Sequence, residues 1–190
     1  MATKGLNRAK LNKSIYFSEH AANSKKRCIF LSHASKDKVA VRKIGDYIMK
    51  AGVDIYLDEN DSDLQAAIES SDNHNAVTQC IENGLSASTD ILCIVSEETK
   101  RSWWVPYEVG YGKKSNAQIA TLLLNDVKDI PSYLYVSKLL KDIRELNNFL
   151  DSLEKSIQHN EAFSYKYAET GILQASYTHP LSDIVKPTRF

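Results

Sequence analysis

The chain has 190 residues, 24 Lys+Arg against 24 Asp+Glu, and 43% hydrophobic residues. That length allows one generous domain with chain to spare, and the apolar fraction excludes wholesale disorder. The zero net charge argues against a duplex nucleic-acid binder, which needs a surplus of Lys and Arg to face phosphates.

Residues 1–26 read as a basic amino-terminal extension: Lys4, Arg8, Lys10 and Lys13 stand among scattered Leu6, Leu11, Ile15, Tyr16 and Phe17. This suits one short helix at most. No apolar h-region follows, so no secretory signal is expected; the lack of acids before Glu19 keeps a mitochondrial presequence as the lesser reading. Arg27–Ser32 is a short run of strand formers. Val41, Ile44, Ile48 and Ala51 then recur at helical spacing, with Gly52 as the helix stop. Val53–Leu57 reads as a second strand and Asp58–Asp63 as an acidic loop. A helix is expected over Ala76–Leu85, a buried strand over Ile91–Val95 and a helix near Trp103–Lys113. Strands follow at Ile119–Leu124 and Tyr133–Val136. Ile143, Leu146, Leu150, Leu153 and Ile157 mark an amphipathic helix, and 159–190 reads as a carboxy-terminal extension packed on the domain.

Strands alternating with helices imply parallel pairing through right-handed crossovers. The predicted architecture over 27–158 is α/β, a flavodoxin-like doubly wound parallel five-stranded sheet of order 2-1-3-4-5. Ligands of such sheets collect beyond the carboxyl ends of strands one and three. Cys28, Cys80 and Cys93 lie in no C-x-x-C spacing, and no apolar run is long enough to span a bilayer. A reducing, cytoplasmic setting without disulfides or a membrane contact is expected.

Several motifs fail. Gly110–Ser115 lacks phosphate-loop spacing, since Tyr107 stands where the first glycine belongs. Asp58, Asn60, Ser62 and Glu69 partly fit a calcium loop, but Asp63 replaces its glycine. A phosphoryl-accepting receiver needs paired acids after its first strand, where this chain has Ser32 and His33. The five histidines show no ligand spacing, so no metal is expected.

Two segments remain. In Phe30-Leu31-Ser32-His33-Ala34-Ser35-Lys36-Asp37, small polar residues sit at the end of the first strand. They form either a ligand loop or a helix start capped by Ser35. In Ser102-Trp103-Trp104-Val105-Pro106-Tyr107-Glu108, a helix would stack Trp104 and Glu108 on one face. The plain alternative is a core tryptophan beside a solvated carboxylate. Pro106 restricts the geometry to a first turn.

These segments, in this order, resemble the Toll/interleukin-1 receptor (TIR) domain. Phe30-Leu31-Ser32-His33 and Asp37 resemble its first-strand box, Asp58–Asp63 falls at its BB loop, and Ser102-x-Trp104-Val105-x-x-Glu108 matches the signature of its enzymatic members. Pro106, Trp103 and the two extensions are departures. The resemblance is nearest to stand-alone bacterial TIR proteins of anti-phage (Thoeris-like) defence. It implies cleavage of the nicotinamide–ribose bond of NAD⁺, with a cyclic or conjugated ADP-ribose as signal. NAD⁺ would be the substrate, with no cofactor. Glu108 would be catalytic, and Trp104, Ser32, His33, Ser35, Ser102 and Asp58 would bind substrate. Implied partners are other TIR copies and a separate effector reached through the product. Two alternatives stay open: a non-enzymatic TIR module assembling through its BB loop, and a nucleoside deoxyribosyltransferase-like enzyme.

The zero charge conceals blocks. Residues 1–52 hold 12 basic and 3 acidic side chains; residues 53–99 hold no Lys or Arg and 11 acids. Such blocks either form complementary patches between copies or are ordinary solvated faces.

Overall fold

Five short runs of buried, mostly apolar residues build the sheet. They are β1 (Cys28–His33), β2 (Asp54–Tyr56), β3 (Asp90–Val95), β4 (Gln118–Leu123) and β5 (Lys138–Leu140). The computed structural model describes residues 4–11, 26–70, 74–125, 127–155 and 179–187. All pairings are parallel, in the order β2-β1-β3-β4-β5, so the order reverses between β1 and β3. The expected doubly wound α/β sheet is therefore present, and both of its faces are covered. Continuous burial on two sides explains why β1 and β3 read as unbroken apolar runs.

One face carries α1 (Lys38–Lys50) and α5 (Ile143–Lys155), which pack Val41, Ile44, Ile48, Leu146 and Leu150 against Ile29, Leu31, Leu92, Ile94 and Leu122. Helix α1 stops at Ala51, and Gly52 follows at φ 93°, a left-handed position that glycine takes without strain. The other face carries α2 (Ser62–Glu69), α3 (His74–Ser86) and α4 (Trp104–Lys114) over Phe30, Ile91, Cys93, Val95 and Ile119.

Two expectations are corrected. The acidic stretch 58–63 is no simple loop: a 3-10 turn, Asp58–Asn60, leads into α2. Asp61 caps that helix by accepting from the backbone N–H groups of Asp63 and Leu64, while Leu64 and Ala67 face the core. The second concerns Tyr133–Val136. That segment lies within a 3-10 helix, Ser132–Val136, with Tyr135 and Val136 exposed, and the fifth strand is Lys138–Leu140. Aromatic and β-branched composition suggested a strand there, but Leu134 is the residue it buries fully.

Both extensions contribute to the fold. Leu6 and Asn7 run parallel to β2: Ile55 donates its N–H to the Leu6 carbonyl, and Leu6 donates to the Asp54 carboxylate. Arg8 closes the contact with bonds to Asp54 and to the carbonyls of Lys26 and Ala87. Here the chain comes so near β2 that a Cβ on Gly5 would lie 2.0 Å from the Val53 carbonyl oxygen. At the other end, Val185 bridges Leu124, and Leu181 and Val185 enter the core beside α5. Residues 12–25 and 156–178, including Ile15, Tyr16, Phe17 and Ile157, lie outside the described residues.

Candidate active site

Ser32 and His33 end β1, Asp58 follows β2 by two residues, and Cys93 lies near the end of β3. The parallel topology thus brings four chemically capable side chains to the carboxyl edge, at the reversal of strand order. Above them runs α4. Its first turn tolerates Pro106 because the first backbone N–H groups of a helix have no intrahelical acceptor. Ser102 supplies the missing start signal, its Oγ accepting from the Val105 N–H at 3.3 Å.

From α4, Glu108 projects into the sheet face and is only 3% exposed. Ser32 Oγ donates to Glu108 Oε2 at 2.5 Å. Burial pushes the Glu108 carboxyl up to about 8; the Ser32 hydrogen bond opposes this and the Asp58 charge adds to it. Beneath it, burial and the Glu108 charge push the Cys93 thiol up to about 12, so this cysteine is no nucleophile. His33 is buried too. Its Nδ1 lies 2.9 Å from the Leu31 carbonyl, which can only accept, so Nδ1 carries the proton and Nε2 faces Asp58 Oδ1 at 3.9 Å. Burial raises the Asp58 carboxyl above its ordinary range, against the pull of His33.

Glu108, Ser32, His33 and Asp58 are therefore gathered in one place, and the other expected site residues stand apart from it. Trp104 is one turn before Glu108 but 39% exposed, with its ring edge-on to Tyr107 at 5.9 Å between centroids. Trp103 projects into solvent, 91% exposed. Ser35 is exposed and caps nothing: Ala34 precedes the 3-10 turn and Asp37 precedes α1. The Asp37 carboxylate instead accepts from Ser96 Oγ at 2.6 Å, tying the loop after β1 to the loop after β3. Lys36 and Glu98 add an ion pair across the same gap at 2.9 Å. Two open grooves flank the Lys10–Asn60 region, and Glu108 lines neither.

The sequence pattern of the TIR domain matches residues 29–163, a span that contains every element of this site. The chain belongs to the TIR domain family. Among solved structures, it is similar to the TIR domain of the Toll-related receptor TRR-2 from the lower metazoan Hydra magnipapillata. The identity is 14%, the match covers 69% of this chain and 98% of that one, and the TM-score is 0.49. No curated protein matches the sequence. For this TIR chain, no helix among the described residues is long and apolar enough to cross a membrane.

Two members of the site were not singled out from sequence. Cys93 read as a small buried hydrophobe, and Tyr133 as a strand residue. Tyr133 arrives from the 3-10 helix between β4 and β5, and nothing in the sequence sets it apart from Tyr135 two residues on.

Proposed function

We propose that this TIR protein cleaves the nicotinamide–ribose bond of NAD⁺. The observation that carries the reading is the buried Glu108 carboxyl, held by Ser32 at the strand-order reversal and poised near neutrality. A carboxyl in such a site favours a cation, since a positive charge nearby restores its ionised form. The nicotinamide ring of NAD⁺ supplies that charge. As the glycosidic bond breaks, nicotinamide leaves neutral and needs no acid to protonate it. Positive charge then moves to the ribose, where the Glu108 carboxylate stabilises it in a water-poor setting. His33 and Asp58 line the same edge and can hold ribose hydroxyls. Trp104, on the rim, offers a stacking plane for a base.

If water captures the ribosyl cation, ADP-ribose and a proton result. If the closed site admits another nucleophile first, a cyclic or conjugated product forms. We assign such a product to cytoplasmic signalling in bacterial anti-phage defence, acting on a separate effector, with copies of the chain assembling through TIR–TIR contacts. No cofactor is required.

Incubating the purified chain with NAD⁺, followed by mass spectrometry, tests the reading. Nicotinamide release that vanishes in Glu108→Gln supports it. No release at high protein concentration supports the interaction module, the reading favoured by the solvent-exposed Trp103. Exchange of bases between deoxynucleosides would point to the deoxyribosyltransferase alternative.

A further inference from the structure

A row of polar side chains crosses the otherwise apolar face beneath α4. Ser32, Cys93 and Thr121 stand opposite one another on β1, β3 and β4, one register step above Phe30, Ile91 and Ile119 by pleat alternation. Thr121 Oγ1 meets Ser137 Oγ at 2.6 Å, and Ser137 donates to the Leu134 carbonyl at 2.6 Å. These bonds pin the 3-10 helix Ser132–Val136 over the row, beside α4. Tyr133 is thereby packed against the same cluster as Cys93, Val105 and Val109.

Its hydroxyl is buried and has no hydrogen-bond partner among the described residues. A buried donor left unpaired is costly, so its retention calls for an acceptor that arrives in some state of the protein. The mirror deficit lies nearby. Among the described residues Glu108 takes one hydrogen bond, from Ser32, whereas a carboxylate can accept several. The two groups lie within each other's electrostatic reach: burial first, then Cys93 and Glu108, push the Tyr133 phenol up to about 12. The phenol therefore remains a donor throughout the neutral range.

We propose that Tyr133 is a positioning residue for Glu108, its hydroxyl being the hydrogen-bond donor that the Glu108 carboxylate takes up when it becomes charged. In the neutral state Ser32 suffices. On ionisation the carboxylate gains a second donor, which fixes its orientation and lessens the cost of burying its charge. This rests on the NAD⁺ reading only for its consequence in turnover. The titratable groups within electrostatic reach of Glu108 are Asp58 after β2, Cys93 from β3 and Tyr133 itself, and His33 of β1 stands beside Asp58. From α3, Glu82 is engaged by the Tyr107 hydroxyl at the exposed side of α4. Among these, Tyr133 is the neutral hydroxyl donor without a partner among the described residues.

The test is Tyr133→Phe in the full chain, which removes one buried, unpaired hydroxyl and leaves the ring. Difference infrared spectroscopy reads the protonated carboxyl band of Glu108, assigned by its loss in Glu108→Gln. Tyr133→Phe should raise the pH midpoint of that band by about one unit, a tenfold smaller carboxylate population at neutral pH. Tyr135→Phe, at an exposed ring, should leave the midpoint in place. NAD⁺ turnover by Tyr133→Phe should fall about tenfold at pH 7 and recover toward pH 9, with KM little changed. An unchanged midpoint overturns the proposal, even if turnover falls. A shifted midpoint in a chain that does not consume NAD⁺ upholds it and rejects the substrate assignment instead.

Discussion

Glu108 is a weak acid kept from water, and its stability signature follows from that alone. Folding raises its carboxyl from the ordinary 4.5 to about 8, so the folded state holds a proton that the unfolded chain has released. The group's contribution is complete below the unfolded value and is lost as pH rises through the folded one. Glu108→Gln cannot ionise and escapes that loss. Its melting temperature should exceed that of the parent chain, by a margin that widens from pH 5 to pH 9 in thermal denaturation. A more stable and inactive variant is what a group retained for chemistry would give. The tryptophans differ in another way. Trp104 lies one turn from Glu108 with its ring against Tyr107, whereas Trp103 touches mostly solvent. Trp104→Ala should lower NAD⁺ turnover about 5- to 100-fold, the worth of a stacked base, and Trp103→Ala should change it less than twofold. Glu108 and Ser32 were legible because a spaced motif and a strand end mark them. Tyr133 was not, because nothing local reveals which residues a crossover will deliver to the same cavity.

At the scale of elements, the buried strands announced themselves by continuous apolar runs, and α1 and α5 by their 3–4-residue spacing. Helix α2 escaped notice because its capping acid looked like part of a solvated loop. Asp61 is 1% exposed, caps α2 and accepts the Tyr56 hydroxyl. Asp61→Ala removes the cap and strands that phenol. It should cost about 2–3 kcal/mol in chemical denaturation, compared with ~1 kcal/mol for a cap alone. Its α2 amides should also exchange faster with solvent hydrogen. The fifth strand was misplaced for a related reason. A 3-10 helix led by Pro131 can be as aromatic as a strand, and only the partner strand β4 decides the register.

For the whole molecule, the segregation of charge along the chain is partly offset by folding. Arg8 and Lys26 pair with Asp54, Arg27 with Asp90, Lys36 with Glu98 and Arg42 with Glu59. Each of these joins the basic first block to the acidic second one. The parallel sheet causes this, since β1 lies between two strands of the acidic block. These pairs engage five of the twelve basic and four of the eleven acidic side chains inside one subunit, which weakens the opposition between the blocks as seen by a second copy. Self-association followed by sedimentation should therefore change little between low and high salt. A strong weakening by salt would show that uncompensated patches persist.

The strand-like arm at Leu6 and Asn7 and the return of Leu181 and Val185 bear on how the protein can be subdivided. The family pattern spans 29–163, but the hydrophobic interior does not respect those limits. A fragment cut at them would lose four core side chains (Ala9, Cys28, Leu181 and Val185), leave Asp54 buried without Arg8 or Lys26, and bare the outer edge of β2. An uncovered sheet edge is a template for aggregation. Such a fragment should be recovered as aggregate, and the smallest autonomous folding unit should instead run from the arm to Val185.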